Sequence, residues 1–276
     1  MKMECCSGEF IAVVTLAAFF LYVSHTARYY AKFIAFMIAS TLFATLLPPL
    51  GLLKYPVKDH RIALLPAWAC KSMLSLMGLT YEVRGHDNID RNKGGVVLIN
   101  HQSGIDLVVL AYLWPILGRA TVVAKKAILY AFPFGTGAWL WGTLFIDRTN
   151  RNDALNRLNK ECDAIEQRAN KILMFPEGTR SQEEKLLPFK KGPFHLAIQS
   201  QSMIQPVVVS KYHFLDSKHK YFEKGHNIIS ILPEISCKGL TKDDLPQLIE
   251  KTQNLMQAHY EELSKESRRV NQHLTF

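Results

Sequence analysis

The sequence predicts an α/β fold, a mixed but mostly parallel sheet flanked by helices, behind an N-terminal membrane-embedded helical segment. Short, wholly apolar runs recur beyond residue 90, the pattern of strands buried on both faces. Between them lie charged stretches with an apolar stripe at helical spacing, as expected of helices covering such a sheet. The membrane segment is inferred from residues 1–53, whose only charged side chains are Lys2, Glu4, Glu9, Arg28 and Lys32.

Composition narrows the class. Of 276 residues, 48% are hydrophobic and 21% charged, which excludes a disordered chain. Cys5, Cys6, Cys70, Cys162 and Cys237 are scattered, giving neither a disulfide framework nor a paired zinc motif. The net charge is +9, and all but +1 of it lies beyond residue 53. Such an excess suits an anionic membrane or a phosphorylated small molecule. No nucleic-acid motif accompanies it, so no nucleic-acid partner is expected.

The N-terminal elements come first. A shorter apolar run at 10–23 precedes 33–53, which is free of charge and would reach about 31 Å as a helix. Pro48 and Pro49 should kink or end that helix. A helical hairpin or pair of anchoring spans is expected, the alternatives being one span plus an interfacial helix and a cleaved signal peptide; Glu4 and Glu9 speak against the last. Lys54, Lys58 and Arg61 favour the cytosolic side for the domain beyond them. Strands are expected at 95–100, 121–124, 171–175, 204–210 and 228–235, with a further apolar strand over 142–148 delivering Arg148. Asp153 can cap a helix running to about 168, its stripe of Leu155, Leu158, Cys162, Ile165 and Ala169 being core. Thr241 with Asp244 starts a terminal helix to about 268, Pro246 in its first turn. Two parts are therefore expected: a membrane anchor over 1–53, with apolar segments at about 10–23 and 33–53, and one α/β domain over 54–276.

Chemistry gathers at strand ends, where open α/β sheets bind ligands. Asn100-His101-Gln102-Ser103-Gly104-Ile105-Asp106 directly succeeds the first of these strands. On a continuous helix, residues five apart point about 140° away from each other. His101 and Asp106 can meet only if His101 is on the turn and Asp106 in the first helical turn. Asp106 would then fix the imidazole tautomer and leave the other nitrogen as a base. A plain helix start, with Ser103 capping and Asp106 answering the helix dipole, fits the same residues. Phe175-Pro-Glu-Gly-Thr-Arg180 offers a close backbone approach at Gly178, a hydroxyl at Thr179 and a planar fork for phosphate at Arg180. Lys125, Lys126, Lys190 and Lys191 form either a solvated face or a rim steering an anion. No metal-ligand spacing, serine elbow, phosphate loop or dinucleotide fingerprint is present. A base without a protein nucleophile suggests direct attack by a substrate hydroxyl.

In order, Asn-His-Gln-Ser-x-x-Asp at 100–106, Gly-x-x-Phe-Ile-Asp-Arg at 142–148, Phe-Pro-Glu-Gly-Thr-Arg at 175–180 and Gln-Pro-Val-Val-Val-Ser at 205–210 closely resemble the glycerolipid acyltransferases. The likeness is to the 1-acylglycerol-3-phosphate (lysophosphatidate) acyltransferases and covers about residues 28–265. It implies that His101, oriented by Asp106, deprotonates the sn-2 hydroxyl of lysophosphatidic acid, which attacks the thioester of acyl-CoA to give phosphatidic acid and CoA. It implies no cofactor and no metal, acyl-CoA being a substrate. Glu177, Gly178, Thr179 and Arg180 carry over as the acceptor site, with Arg180 on the glycerol phosphate and Arg148 and Lys125 as further phosphate-binding positions. The partners implied are the two substrates and a lipid bilayer, and the location implied is the endoplasmic reticulum membrane. Ala127 departs from the family, where an acidic residue often comes after the two basic ones. Rival readings are a glycerol-3-phosphate or lysolipid-remodelling acyltransferase, an acyl-CoA thioesterase, and a catalytically silent membrane protein.

Overall fold

The structure is a computed structural model that describes residues 3–147 and 151–274. Helices α1 (Met3–Val23), α2 (His25–Leu46), α3 (Pro48–Leu52) and α4 (Leu64–Leu76) precede the first strand, β1 (Leu79–Arg84). The alternating part runs β2 (Gly95–Ile99), α5 (Asp106–Leu117), β3 (Ala120–Lys125), α6 (Phe134–Leu140), β4 (Leu144–Ile146), α7 (Arg151–Arg168) and β5 (Lys171–Met174). It continues through α8 (Lys191–Gln199), β6 (Met203–Val209), the small pair β7 (Leu215–Asp216) and β8 (Tyr221–Phe222), then β9 (Gly225–Ile231), β10 (Ile235–Ser236) and α9 (Leu245–Leu274). The main sheet has the order β1-β9-β6-β2-β5-β3-β4, with β10 also on β6. Its pairings are parallel except where β6 meets β9 and β10.

Side-chain alternation explains why the central strands read as unbroken apolar runs. Val97 and Ile99 of β2 face a core shared with α4 and α5, while Val96 and Leu98 face a second core shared with α8 and α9. Helices on both faces remove the polar half of the usual strand pattern. The expected strands stand where the apolar runs placed them, with one correction. The stretch 228–235 is not a single strand: β9 ends at Ile231, and the chain passes Pro233, which has no N–H for a ladder, before β10. The half-polar edge strand β1, absent from the expectations, pairs in parallel with β9. Thr241 and Asp244 form the expected capping box ahead of α9.

The N-terminal helices behave as two elements. Ser24 adopts extended backbone and its hydroxyl accepts from the Ala27 N–H, so α2 starts afresh there. It ends before Pro48, which opens α3. Residues 25–52 are long and apolar enough to cross a membrane, and α1 exposes Phe10, Ile11, Leu16, Phe19 and Phe20. One side of α2 is nonetheless packed on the domain. Tyr29, Phe36, Ser40 and Ala44 are buried. At Gly137 of α6 a Cβ would run into the Ala44 carbonyl oxygen, so the two backbones touch where only glycine fits. Lys32 donates to the Phe222 carbonyl (2.7 Å) and, with Arg28, faces Glu223 at 3.5 and 3.6 Å.

Candidate active site

β2 lies between β6 and β5, both parallel to it, and β3 lies beyond β5. Four neighbouring strands therefore deliver their carboxyl ends to one edge of the sheet, which is where a doubly covered sheet opens to ligand. Beyond those ends stand His101, the segment Phe175–Arg180 and the segment from Ser210 to Tyr212, with Lys125 as the last residue of β3.

His101 sits on the turn and Asp106 opens α5, so the two meet: Nδ1 lies 2.5 Å from Asp106 Oδ2. The same carboxylate oxygen accepts the N–H groups of Gln102 (2.7 Å) and Ser103 (3.1 Å). The His–Asp pair forms, whereas α5 has no side-chain cap: Asp106 is its first residue and ties down the turn before the helix. With Nδ1 donating to Asp106, Nε2 is left as the acceptor. The imidazole stacks on Phe175 at 4.0 Å between ring centres, which limits its rotation.

Residues outside the motif's signature pair hold this turn in place. Asn100, buried, donates to the Val209 carbonyl and accepts from the Val209 N–H, splicing β2 to β6 beyond their ladder. Gln102 donates to the Ser210 carbonyl at 2.9 Å and accepts from the Tyr212 N–H at 3.1 Å. Tyr212 donates its hydroxyl to the second oxygen of Asp106 at 2.7 Å. The motif predicts none of these contacts. Asn100 and Gln102 at least stand inside a recognisable block, whereas nothing in the sequence ties Tyr212 to Asp106.

The Phe175–Arg180 block divides into a buried and an open half. Glu177 is buried and turned under the loop, one oxygen accepting from the His101 N–H (2.8 Å) and the other from the Leu187 N–H (2.9 Å). Burial pushes its carboxyl up, and the two N–H donors pull it back. Gly178 has φ +72°, the left-handed turn that lifts the chain over Glu177. Thr179 and Arg180 then face outward, and the Ser181 N–H donates back to the His101 carbonyl.

A cavity of about 790 Å³ opens at this edge, a size suited to a small lipid or drug-sized ligand. His101, Gly178, Thr179, Arg180 and Lys125 line one part of it. The rest is apolar and runs between α2, α4, α5 and α6, lined by residues such as Phe33, Met37, Leu110, Trp114, Ala138 and Trp141. Glu177 is not among the lining residues. Lys126 faces Asp147 at 3.9 Å, so a carboxylate from beyond β4 stands in for the acid missing at Ala127. Arg148 lies outside the described residues. Among the described residues no cluster of His, Cys, Asp and Glu could hold a metal ion. Burial pushes the Cys70 thiol, on the cavity wall, up to about 11, which leaves it a poor nucleophile.

The class of protein is given by the comparison with known families: a family model described as "Acyltransferase" matches residues 80–210, from β1 to just past β6. The chain is 36% identical over 194 residues to 1-acyl-sn-glycerol-3-phosphate acyltransferase alpha of Homo sapiens, covering 70% of this chain and 68% of that protein. It is 40% identical over 187 residues to the 1-acyl-sn-glycerol-3-phosphate acyltransferase of Saccharomyces cerevisiae, covering 67% and 61%. A crystal structure of the 1-acyl-sn-glycerophosphate (LPA) acyltransferase PlsC from Thermotoga maritima shares the fold, with TM-score 0.62 at 18% identity over 87% of this chain and 99% of that one. The chain belongs to the 1-acyl-sn-glycerol-3-phosphate acyltransferase family.

Proposed function

We propose that the protein transfers a fatty acyl group from acyl-CoA to the sn-2 hydroxyl of 1-acyl-sn-glycerol 3-phosphate, releasing phosphatidic acid and CoA. The observation that carries this reading is the His101–Asp106 pair at the mouth of an apolar cavity rimmed by Arg180 and Lys125. His101 Nε2 takes the proton of the sn-2 hydroxyl as its oxygen attacks the thioester carbonyl. Asp106 balances the imidazolium that forms, and the imidazolium returns the proton to the departing CoA thiolate. Arg180, with Thr179 and Lys125, meets the phosphomonoester, whose double charge calls for charge-assisted donors. Gly178 gives the backbone room to approach, and Glu177 holds both the His101 turn and the acceptor loop. The apolar walls take a fatty chain, whose transfer from water is favourable by about 0.8 kcal/mol for each buried CH₂. Arg148 is assigned a second phosphate contact from its position after β4. The reaction as written needs no cofactor and no metal.

Residues 1–53 serve as the membrane anchor and 54–276 carry the chemistry, with α2 lending a wall to the cavity. Both substrates partition into bilayers, which supports a site beside the apolar N-terminal helices. The endoplasmic reticulum membrane is inferred from the resemblance to eukaryotic members, and the cytosolic side from Lys54, Lys58 and Arg61.

The test uses detergent-solubilised protein and oleoyl-CoA, with lysophosphatidic acid, glycerol 3-phosphate, lysophosphatidylcholine or no acceptor, each against His101→Ala. Phosphatidic acid formed only from lysophosphatidic acid, with a rate drop of about 10²–10⁴ in the variant, is the expected result. Equal CoA release without acceptor would make the protein a thioesterase, and an undiminished variant would remove His101 from the chemistry.

A further inference from the structure

We propose that Tyr212 is a positioning residue for the His101–Asp106 pair, donating a buried phenolic hydrogen bond that sets how readily the pair takes up a proton. The inference rests on the general-base reading of His101 and goes beyond it. Tyr212 comes just past β6, whose parallel pairing with β2 aligns Val207 with Ile99 and brings both chain exits to one edge. Its side chain is 2% exposed and its hydroxyl donates to Asp106 Oδ1 at 2.7 Å. Oδ2 already accepts His101 Nδ1 and two backbone N–H groups. Among the described residues the Tyr212 hydroxyl is thus the one donor shown on Oδ1, and it holds the carboxylate in the plane that His101 requires. The backbone N–H of Tyr212 is fixed in turn by Gln102, so its ring moves as one body with the His101 turn.

A donor to a carboxylate spreads its charge and favours the ionised form. Removing that donor concentrates charge on the oxygen facing His101, and the pair then binds a proton more tightly. Both effects have one sign: the acidic limb of the rate profile moves to higher pH. Tyr212 stays a donor across this range, because burial and then the Asp106 charge push its phenol well up.

Other charged or titratable groups face the pair from several elements. Glu177 comes from the loop after β5 and bonds His101 through the backbone; Arg180 lies on the same loop, and Lys125 ends β3. Tyr81 of β1 packs edge-on against Tyr212 at 6.5 Å between ring centres, Tyr112 of α5 lies against Tyr81 and Cys70 of α4 stands behind them, while Tyr260 of α9 belongs to the core on the other face of the sheet. Burial raises Tyr81, Cys70 and Tyr260 beyond the acidic range. Glu177 is the other carboxylate beside the pair, and its bonds to the His101 and Leu187 N–H groups do not involve Tyr212.

The experiment measures kcat and KM from pH 5 to 9 for the full-length protein, for Tyr212→Phe, and for protein carrying 3-fluorotyrosine at 212. Tyr212→Phe should lower kcat roughly 10-fold, the worth of one hydrogen bond, leave KM for both substrates unchanged, and move the acidic limb up by roughly one unit. The fluorinated phenol, a stronger donor of nearly the same shape, should move it down. Profiles that superimpose on the wild type would overturn the proposal, as would a fall in kcat without movement of the limb. If Tyr212→Phe does not fold, the fluorotyrosine protein decides alone. His101→Ala run alongside separates the two readings: an active His101→Ala removes the base, whereas an inactive one with unmoved Tyr212 profiles removes only Tyr212.

Discussion

Asp106 gathers three N–H donors on one oxygen and a phenol on the other, so at residue scale it is both the anchor of the turn before α5 and the partner of His101. Asp106→Asn replaces an acceptor by a donor on one side of this arrangement and removes the charge. We expect kcat to fall about 10²–10⁴-fold, together with a lower unfolding temperature, whichever way the amide turns; unchanged melting would mean the bonds to the Gln102 and Ser103 N–H groups do not matter. Arg180 acts differently, since it is exposed at the cavity mouth. Arg180→Ala should raise KM for lysophosphatidic acid about 10–100-fold, the equivalent of one or two charge-assisted bonds, with kcat little altered. Arg180→Lys should fall between, because an ammonium lacks the bidentate fork. Kinetics in which kcat falls and KM stays would instead place Arg180 on the transition state. These residues are legible in the sequence because they stand in short blocks. The inward turn of Glu177 is not, since nothing local distinguishes a carboxylate facing substrate from one holding two backbone N–H groups.

At the scale of elements, α2 has two roles that its sequence shows as one. Its length and apolar content read as a membrane span, and Arg28 and Lys32 read as flanking cations. In the fold, Phe33, Met37, Ser40, Thr41 and Ala44 line the cavity, and the two cations reach Glu223. Those ion pairs are partly solvated, so Glu223→Gln should cost less than about 1 kcal/mol of stability. The α2–α6 crossing is a harder constraint. Gly137→Ala places a methyl group on the Ala44 carbonyl, and overpacking of this kind typically costs about 1–3 kcal/mol. Thermal unfolding in detergent should therefore show a clearly lower midpoint, with loss of affinity for long acyl chains. An unaltered midpoint would mean that α2 does not rest on α6.

For the whole molecule, the sheet has a working edge and a supporting edge. At the supporting edge Lys171 opens β5 fully buried, donating to the carbonyls of Asp90 (2.8 Å) and Lys93 (2.7 Å) and so tying down the loop before β2. Burial pushes it down to about 8 from 10.5. Between those values the unfolded chain holds a proton that the folded one has released, so stability from this group rises with pH across that window and is lost as pH falls through 8. The unfolding free energies of wild type and Lys171→Met should diverge by about 2–3 kcal/mol between pH 8 and 10.5; a constant difference would show that the ammonium is hydrated. Removal of residues 1–53 is expected to abolish activity even on short-chain, water-soluble substrates, since a cavity wall goes with them. Activity retained on such substrates would make the anchor separable.

The chemical inventory and the alternation of strand and helix were determined by the sequence alone. Apolar periodicity, glycine and proline punctuation, and the His101 and Arg180 blocks are local properties, readable within a dozen residues. The order of the strands, the reversal of β9 against β6, the meeting of Tyr212 with Asp106 and the seating of α2 on the cavity were decided only by the tertiary structure. The physical reason is that each depends on which buried faces share a core and which strand ends leave the sheet together, and pairing between segments far apart in the chain leaves no periodic trace in either one.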